Sequence, residues 1–301
     1  MIKRLYIIGN GLDLHHGIKS SYADFHRWLG TGWNYNDVEK YFGNVDLWSS
    51  LEENMAKFNY EDYAANNFSF ENGCLVLKGH HKVQGEVLDF KEQRLEEWHT
   101  AVLKRFGEWL KGLSTAVKGG MLSLTDEESV YLSFNYTHTL EDQYHIAKEQ
   151  VFHIHGEAGD PWEQLRLGHN GRILEPTRDL SNPHKEVLDV DASFSKDAMD
   201  DVLSWRKPVQ EIIARNEPFW NVLREVNSVY VLGFSCGCVD LPYIEKIVSV
   251  VSPKAKWHVT WFAKKERTEL PAALCRCGVK DAEAITWKSL EARNTSKNEL
   301  N

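Results

Sequence analysis

Four separated stretches of this chain carry residues suited to chemistry. The first is the Gly9-Asn10-Gly11 turn with Asp13 just beyond it. Glycines admit backbone conformations closed to other residues and let main-chain N–H groups approach a phosphate. The turn therefore reads as a nucleotide loop, with an ordinary tight turn as the plainer account. The second is Asn135, an amide able to orient a water or a sugar hydroxyl. The third is His155 with Gly156 after it. An imidazole that is neutral near pH 7 can take a proton from such a hydroxyl, although a histidine at a strand end also serves as a structural hydrogen-bonder. The fourth is Gly233-Phe234-Ser235-Cys236-Gly237, which satisfies the nucleophile-elbow pattern Gly-x-Ser-x-Gly.

Several alternatives are disfavoured at once. Leu14 stands where a dinucleotide fingerprint needs its third glycine, and the chain has no Gly-Lys-Ser/Thr of a phosphate loop. A serine hydrolase built on Ser235 needs a later histidine, and only His258 follows, set between Trp257 and Val259. Cys236-x-Cys238 and Cys275-x-Cys277 are spaced more tightly than usual zinc half-sites, so they read as buried thiols. His80-His81 beside Cys74 cannot supply ligand geometry by adjacency alone. No metal site is expected.

These residues need elements to hold them. Leu5-Tyr6-Ile7-Ile8 is apolar without alternation, which suits a parallel strand covered on both faces. A capped amphipathic helix should follow, with Ser20 or Ser21 as N-cap and Tyr22, Phe25, Trp28 and Leu29 on one face. Further strands are expected at Val130–Phe134, Val151–His155, Ser228–Leu232, Lys256–Phe262 and near Ala284–Trp287. Asn135 and His155 thereby fall at the carboxyl edge of a sheet, where open α/β folds bind ligands. Thr137 is a candidate cap for the helix after Asn135, and Asp240 for the helix Leu241–Val251, where Pro242 is tolerated in the first turn. The spacing of Leu88, Leu95, Val102 and Trp109 predicts a long helix from Glu86 to Leu113. The expected organisation is a single α/β domain over 1–301, with one helical insertion at 30–126 and another of loop and helices at 160–227.

Composition narrows the classes. The 301 residues carry a formal charge of −9, with an isoelectric point near 5.8, which argues against a broad nucleic-acid or anionic-membrane surface. No apolar run approaches the roughly 20 residues of a membrane span. The first strand begins within three residues of the N-terminus, leaving no room for a signal peptide. Five cysteines, without a regular framework, fit reduced thiols. A cytoplasmic location is expected.

Taken together, Gly9-Asn10-Gly11-Leu12-Asp13, the Asn135–Glu141 run, His153-Ile154-His155-Gly156 and Gly233-Phe234-Ser235 with Asp240 resemble the AbiH family of bacterial abortive-infection proteins. More distantly they resemble the sirtuin superfamily. The resemblance implies a Rossmann-like, sirtuin-like, mostly parallel sheet that binds NAD. It places Gly9, Asn10, Gly11 and Asp13 on the first loop, Asn135 at the ribose and water, and His155 as the catalytic histidine. Gly233, Ser235 and Asp240 would line the adenosine side. The four-cysteine zinc module of sirtuin deacylases is missing, and Asp13 stands where their loop usually has serine, so the resemblance points to NAD glycohydrolysis in anti-phage defence rather than deacylation. That cleavage passes through an oxocarbenium-like state with a neutral leaving group, so it needs fixed polar groups at the sugar. Family behaviour also implies an effector held inactive until triggered, with a phage-derived trigger, a partner defence protein or a second copy of the chain as partners. The rival readings are a non-catalytic nucleotide sensor or interaction module, and a serine hydrolase using Ser235.

Overall fold

The computed structural model describes residues 1–43, 46–71, 74–77, 84–118, 120–124, 127–171 and 198–291. Its strands are β1 (Arg4–Ile8), β2 (Phe68–Glu71), β3 (Cys74–Leu77), β4 (Ser129–Ser133), β5 (Val151–His153), β6 (Ser228–Leu232), β7 (Lys256–Thr260) and β8 (Ala282–Ile285). Six of them form a sheet in the order β5-β4-β1-β6-β7-β8, and every pairing in it is parallel. From β1 the chain steps to β4 and β5 on one side, then returns to β6 on the other. This is a Rossmann-like, doubly wound order, and the reversal between β1 and β6 is its switch point.

The composition of β1 follows from that central place. Leu5 and Ile7 enter one core with Val130, Val229, Trp220 and Tyr243. Tyr6 and Ile8 enter a second core with Leu12, Tyr131, Tyr144 and Trp287. Successive side chains point to opposite faces, so a strand covered on both sides has no polar alternation. Register is set by an aromatic ladder. Tyr6 lies opposite Tyr131 and Tyr230, and Tyr230 lies opposite His258. Their rings stack at 5.0, 5.1 and 4.8 Å. A one-residue slip would turn each of these rings to the other face.

The chain divides into two compact units. The sheet unit comprises Met1–Asp24, Gly107–Arg166 and Pro208–Asn301, and the second unit comprises Phe25–Phe106 and Leu167–Lys207. The second unit holds short helices, part of the long helix Gln84–Gly112 and the antiparallel pair β2–β3, a hairpin that a purely helical reading of 30–126 did not contain. Its core is aromatic, with Trp205 packed on Phe58 and Trp98 at 5.8 and 5.0 Å. The ammonium of Lys207, its side chain fully buried, lies 2.7 Å from Glu52. Both expected insertions are therefore too wide at their inner edges. Leu122 and Leu124 belong to one core of the sheet unit, and Val209, Ile212, Trp220 and Leu223 to the other.

Smaller details of the sheet unit have local causes, and of the two expected caps it is the second that serves. Ser21, not Ser20, caps the helix Tyr22–Leu29, its Oγ accepting the Asp24 N–H at 3.1 Å while Asp24 accepts the Ser21 N–H at 3.3 Å. Strand β5 stops at His153, because the chain turns at Ile154 and His155. Strand β8 begins two residues earlier than its apolar pattern suggests.

The loops after β1 and β6 meet backbone against backbone. Gly9 N–H donates to Leu232 O at 2.9 Å, and Gly11 N–H donates to Gly233 O at 2.8 Å. A Cβ on Gly9 or on Gly11 would stand 2.5 Å from backbone atoms of the Gly233 loop, and Gly233 itself has φ +61. We predict that Gly11→Ala and Gly233→Ala each lower stability by about 2–4 kcal/mol through overpacking and backbone strain. Gly32→Ala, where a Cβ meets nothing within 4 Å, should stay within about 0.5 kcal/mol of the parent. Denaturant midpoints of the three variants check this.

Candidate functional site

The short helix Gly11–His15 leaves β1 at the carboxyl edge and carries Asp13 into the interior, with no exposed surface. Its carboxylate accepts from Thr137 Oγ1 at 2.6 Å and from Thr139 Oγ1 at 2.7 Å. Burial raises the Asp13 pKa above the usual carboxylate range, and hydrogen bonds from Thr137, Thr139, Ser20 and Asn135 oppose that rise. A carboxylate can only accept, so Asn135 must turn its Nδ2 toward Asp13. That leaves Asn135 Oδ1 as a buried acceptor with no partner within the protein. Next to this network, Ser20 Oγ donates to Asn10 Oδ1 at 2.5 Å and Asn10 Nδ2 donates to Ser20 O at 3.2 Å. Asn10 thus fastens the start of the helix.

His155 belongs to a second group. Its ring is 2% exposed and stands edge-on to Phe134, with centroids 5.3 Å apart. Tyr243 lies 5.6 Å away and Tyr136 6.3 Å away. Nε2 is 3.5 Å from Asp240 Oδ1, and the backbone carbonyl accepts the Arg166 N–H at 2.8 Å. A carboxylate beside an imidazole ring fixes the orientation of the ring.

The structure therefore joins Asp13 to Asn135 and His155 to Asp240. Asn135 and His155 each lie two residues beyond the paired Ser133 and His153 on adjacent strands. The ring of His155 packs on Phe134 and Tyr136, the residues flanking Asn135. The glycines have a different place. The amides of Gly9 and Gly11 are engaged by the β6 loop, so these residues and Gly233 build the wall at the switch point, and the phosphate-cradling role expected of their N–H groups is not what holds them there. Asp240 makes no side-chain cap to its helix and faces His155 instead. Thr137 likewise turns to Asp13, and the helix begins at Thr139.

Ser235 is exposed on the rim of a shallow cavity of about 520 Å³, lined also by Cys236, Thr268, Ala273 and Arg276. His258, the histidine an esterase would require, is stacked on Tyr230 within the sheet, with Glu283 at 3.0 Å. Cys236 and Cys277 are buried thiols, and burial pushes Cys236 up to about 12. Among the described residues the metal-type donors that converge are Glu141, His153 and Glu157, and the cysteines form no such group. His80 and His81 lie outside the described residues. The sequence reading took Thr137 for a helix cap and passed over Thr139, although their spacing of two and four from Asn135 was a usable signal.

The model for the family described as bacteriophage abortive infection AbiH matches residues 5–261. The chain belongs to the AbiH family. Comparison with curated proteins and with solved structures returned no match. Membership in AbiH implies a role in bacteriophage abortive infection, and residues 5–261 include every strand end described above except that of β8. Among the described residues no helix is long and apolar enough to cross a membrane.

Two predictions follow from the buried groups of this AbiH chain. Asp13→Asn should stay within about 1 kcal/mol of the parent, since it relieves the burial of charge and keeps an acceptor. Asp13→Leu should cost about 2–3 kcal/mol by stranding the hydroxyls of Thr137 and Thr139; thermal melts separate the two. His16, fully buried, shares a hydrogen bond between its Nε2 and the Tyr144 hydroxyl at 2.6 Å. Burial, with some help from the charge of His15, lowers its pKa to about 4 from 6.5. The unfolded chain therefore takes up this proton first as pH falls, and stability is lost between 6.5 and about 4. Denaturation at pH 7 and pH 5 should show a loss about 2 kcal/mol smaller in His16→Gln than in the parent.

Proposed function

We propose that this AbiH protein binds NAD at the carboxyl edge of its parallel sheet and hydrolyses the nicotinamide–ribose bond, the depletion of NAD being the abortive step. One observation carries the reading. Asn135 Oδ1 is a desolvated acceptor without a donor, on an amide that lies beside the Asp13 carboxylate. Such an atom is completed by a hydroxyl or a water, the two donors that a ribose under attack brings.

In this reaction the C1′–N bond breaks with its electron pair passing to nicotinamide, which leaves neutral. Water forms the new C1′–O bond. Asn135 Oδ1 orients that water or the neighbouring ribose hydroxyl, and His155, backed by Asp240, accepts the proton released. Asp13 touches no substrate and keeps Asn135 in place. Gly9, Gly11 and Gly233 shape the wall, with Asn10 at its end, and Ser235 sits at the outer rim on the adenosine side. Because the amides of Gly9 and Gly11 are already engaged, pyrophosphate contacts do not support the proposal.

Incubation of the purified chain with NAD, followed by chromatography for nicotinamide and ADP-ribose, is the test. Turnover is expected, with Asn135→Ala and His155→Ala each lowering it at least about 100-fold while melting as the parent does. Saturable NAD binding with no nicotinamide, alone or with lysate from phage-infected cells, would replace hydrolysis by sensing.

A further inference from the structure

The two segments that deliver Asn135 and His155 also carry four donors that NAD cleavage leaves unused. His138 and Glu141 lie beyond β4, and His153 and Glu157 lie on β5 and the turn after it. His153 is the pivot, its side chain 6% exposed. Nδ1 is 2.8 Å from the Asn135 backbone carbonyl. That oxygen can only accept, so Nδ1 carries the proton and Nε2 is the atom presented to the cluster. Nε2 meets Glu141 Oε1 at 2.9 Å and Glu157 Oε2 at 3.9 Å. His138 Nε2 approaches the same Glu157 oxygen at 3.1 Å.

The separations of Glu141 and Glu157 from His153 bracket the edge of a tetrahedron of N and O ligands, about 3.3–3.6 Å for bonds of about 2.0–2.2 Å. An imidazole whose other nitrogen donates to a backbone carbonyl is also the usual arrangement of a metal-bound histidine. A separate observation points the same way. Glu141 Oε2 is buried and has no hydrogen-bond partner, whereas a desolvated carboxylate oxygen ordinarily has one. Lys148 occupies Glu157 Oε1 at 2.6 Å, which leaves Oε2 for the cluster.

We propose that Glu141, His153 and Glu157 bind a single divalent transition-metal ion of the zinc type, with His138 beside them as the hydrogen-bond partner of the Glu157 carboxylate. One imidazole with two carboxylates, the fourth position left to water, suits such an ion better than calcium or magnesium. Its structural effect would be to tie the three-residue edge strand β5 to the loop after β4. The inference does not rest on the NAD reading, and it departs from the sequence-based expectation that no metal is held.

The test uses the whole chain, stripped with a chelator and titrated with Zn²⁺ against a chromophoric competitor, then with Co²⁺ in the spectrophotometer. The expected result is one equivalent bound, a rise in melting temperature, and Co²⁺ bands of a tetrahedral N/O site without thiolate charge transfer. Glu141→Gln and His138→Asn, both polar and close in shape, should each weaken Zn²⁺ binding more than about tenfold, with the circular dichroism of the metal-free protein unchanged. If His153→Asn fails to fold, those two variants still decide the matter. Absence of binding would show that His153 and Glu141 are only an ion pair. A thiolate band, or binding unchanged in Glu141→Gln and His138→Asn, would move the metal elsewhere; any of these outcomes overturns the proposal.

Discussion

The approach of two loops at the switch point is the constraint on which the sheet unit depends. Gly9 and Gly11 lie against Gly233 with no room for a side chain on any of the three, and the N–H groups of Gly9 and Gly11 close the gap with hydrogen bonds. This contact decides where the helix Gly11–His15 starts and hence where Asp13 enters the interior. On the other side it sets the path of the chain from β6 toward Asp240. A bulkier residue would part β1 from β6 at the point where the fold reverses direction, and both carboxylates would move with their loops.

From that anchoring the polar site divides in two. Asp13 is a costly group to bury, and its position is sustained by hydroxyl donors from Thr137 and Thr139 and by the amide of Asn135. His155 is held by Asp240 and an aromatic surround of Phe134, Tyr136 and Tyr243. One half is a buried acceptor and the other an imidazole with its own carboxylate, the pair of groups on which the proposed ribose chemistry rests. The cluster around His153 lies just beneath, since the same Asn135 whose amide faces Asp13 receives the His153 N–H on its backbone oxygen.

Burial explains why residues of one type have different uses. His16 and His258 are absorbed by packing, one against Tyr144 and one in the aromatic ladder, while His153 and His155 stand at the sheet edge beside carboxylates. Likewise Ser235 has the neighbours of a nucleophile in sequence alone. In space the histidine that follows it in the chain, His258, is committed to the sheet, so the Gly-x-Ser-x-Gly pattern reads as a turn after a strand.

The local and periodic features were legible in the chain itself. The unbroken apolar run of β1, the strand-to-glycine turns, the capped helix at Tyr22 and the spacing of Asn135, His153 and His155 all lie within a few residues of their cause, because strand pairing faces and helix caps act over that range. The AbiH likeness could be read from those same runs. Sequence could not show which residues meet across long separations. Asp13 with Thr139, His155 with Asp240, and Gly11 with Gly233 are joined only once parallel strands bring distant segments side by side. Capping propensity misplaced Thr137 and Asp240, since a buried carboxylate and a buried imidazole competed for them and won. The inner edges of the insertions were hidden for a similar reason, because an apolar residue such as Leu122 or Trp220 does not say which core it will enter.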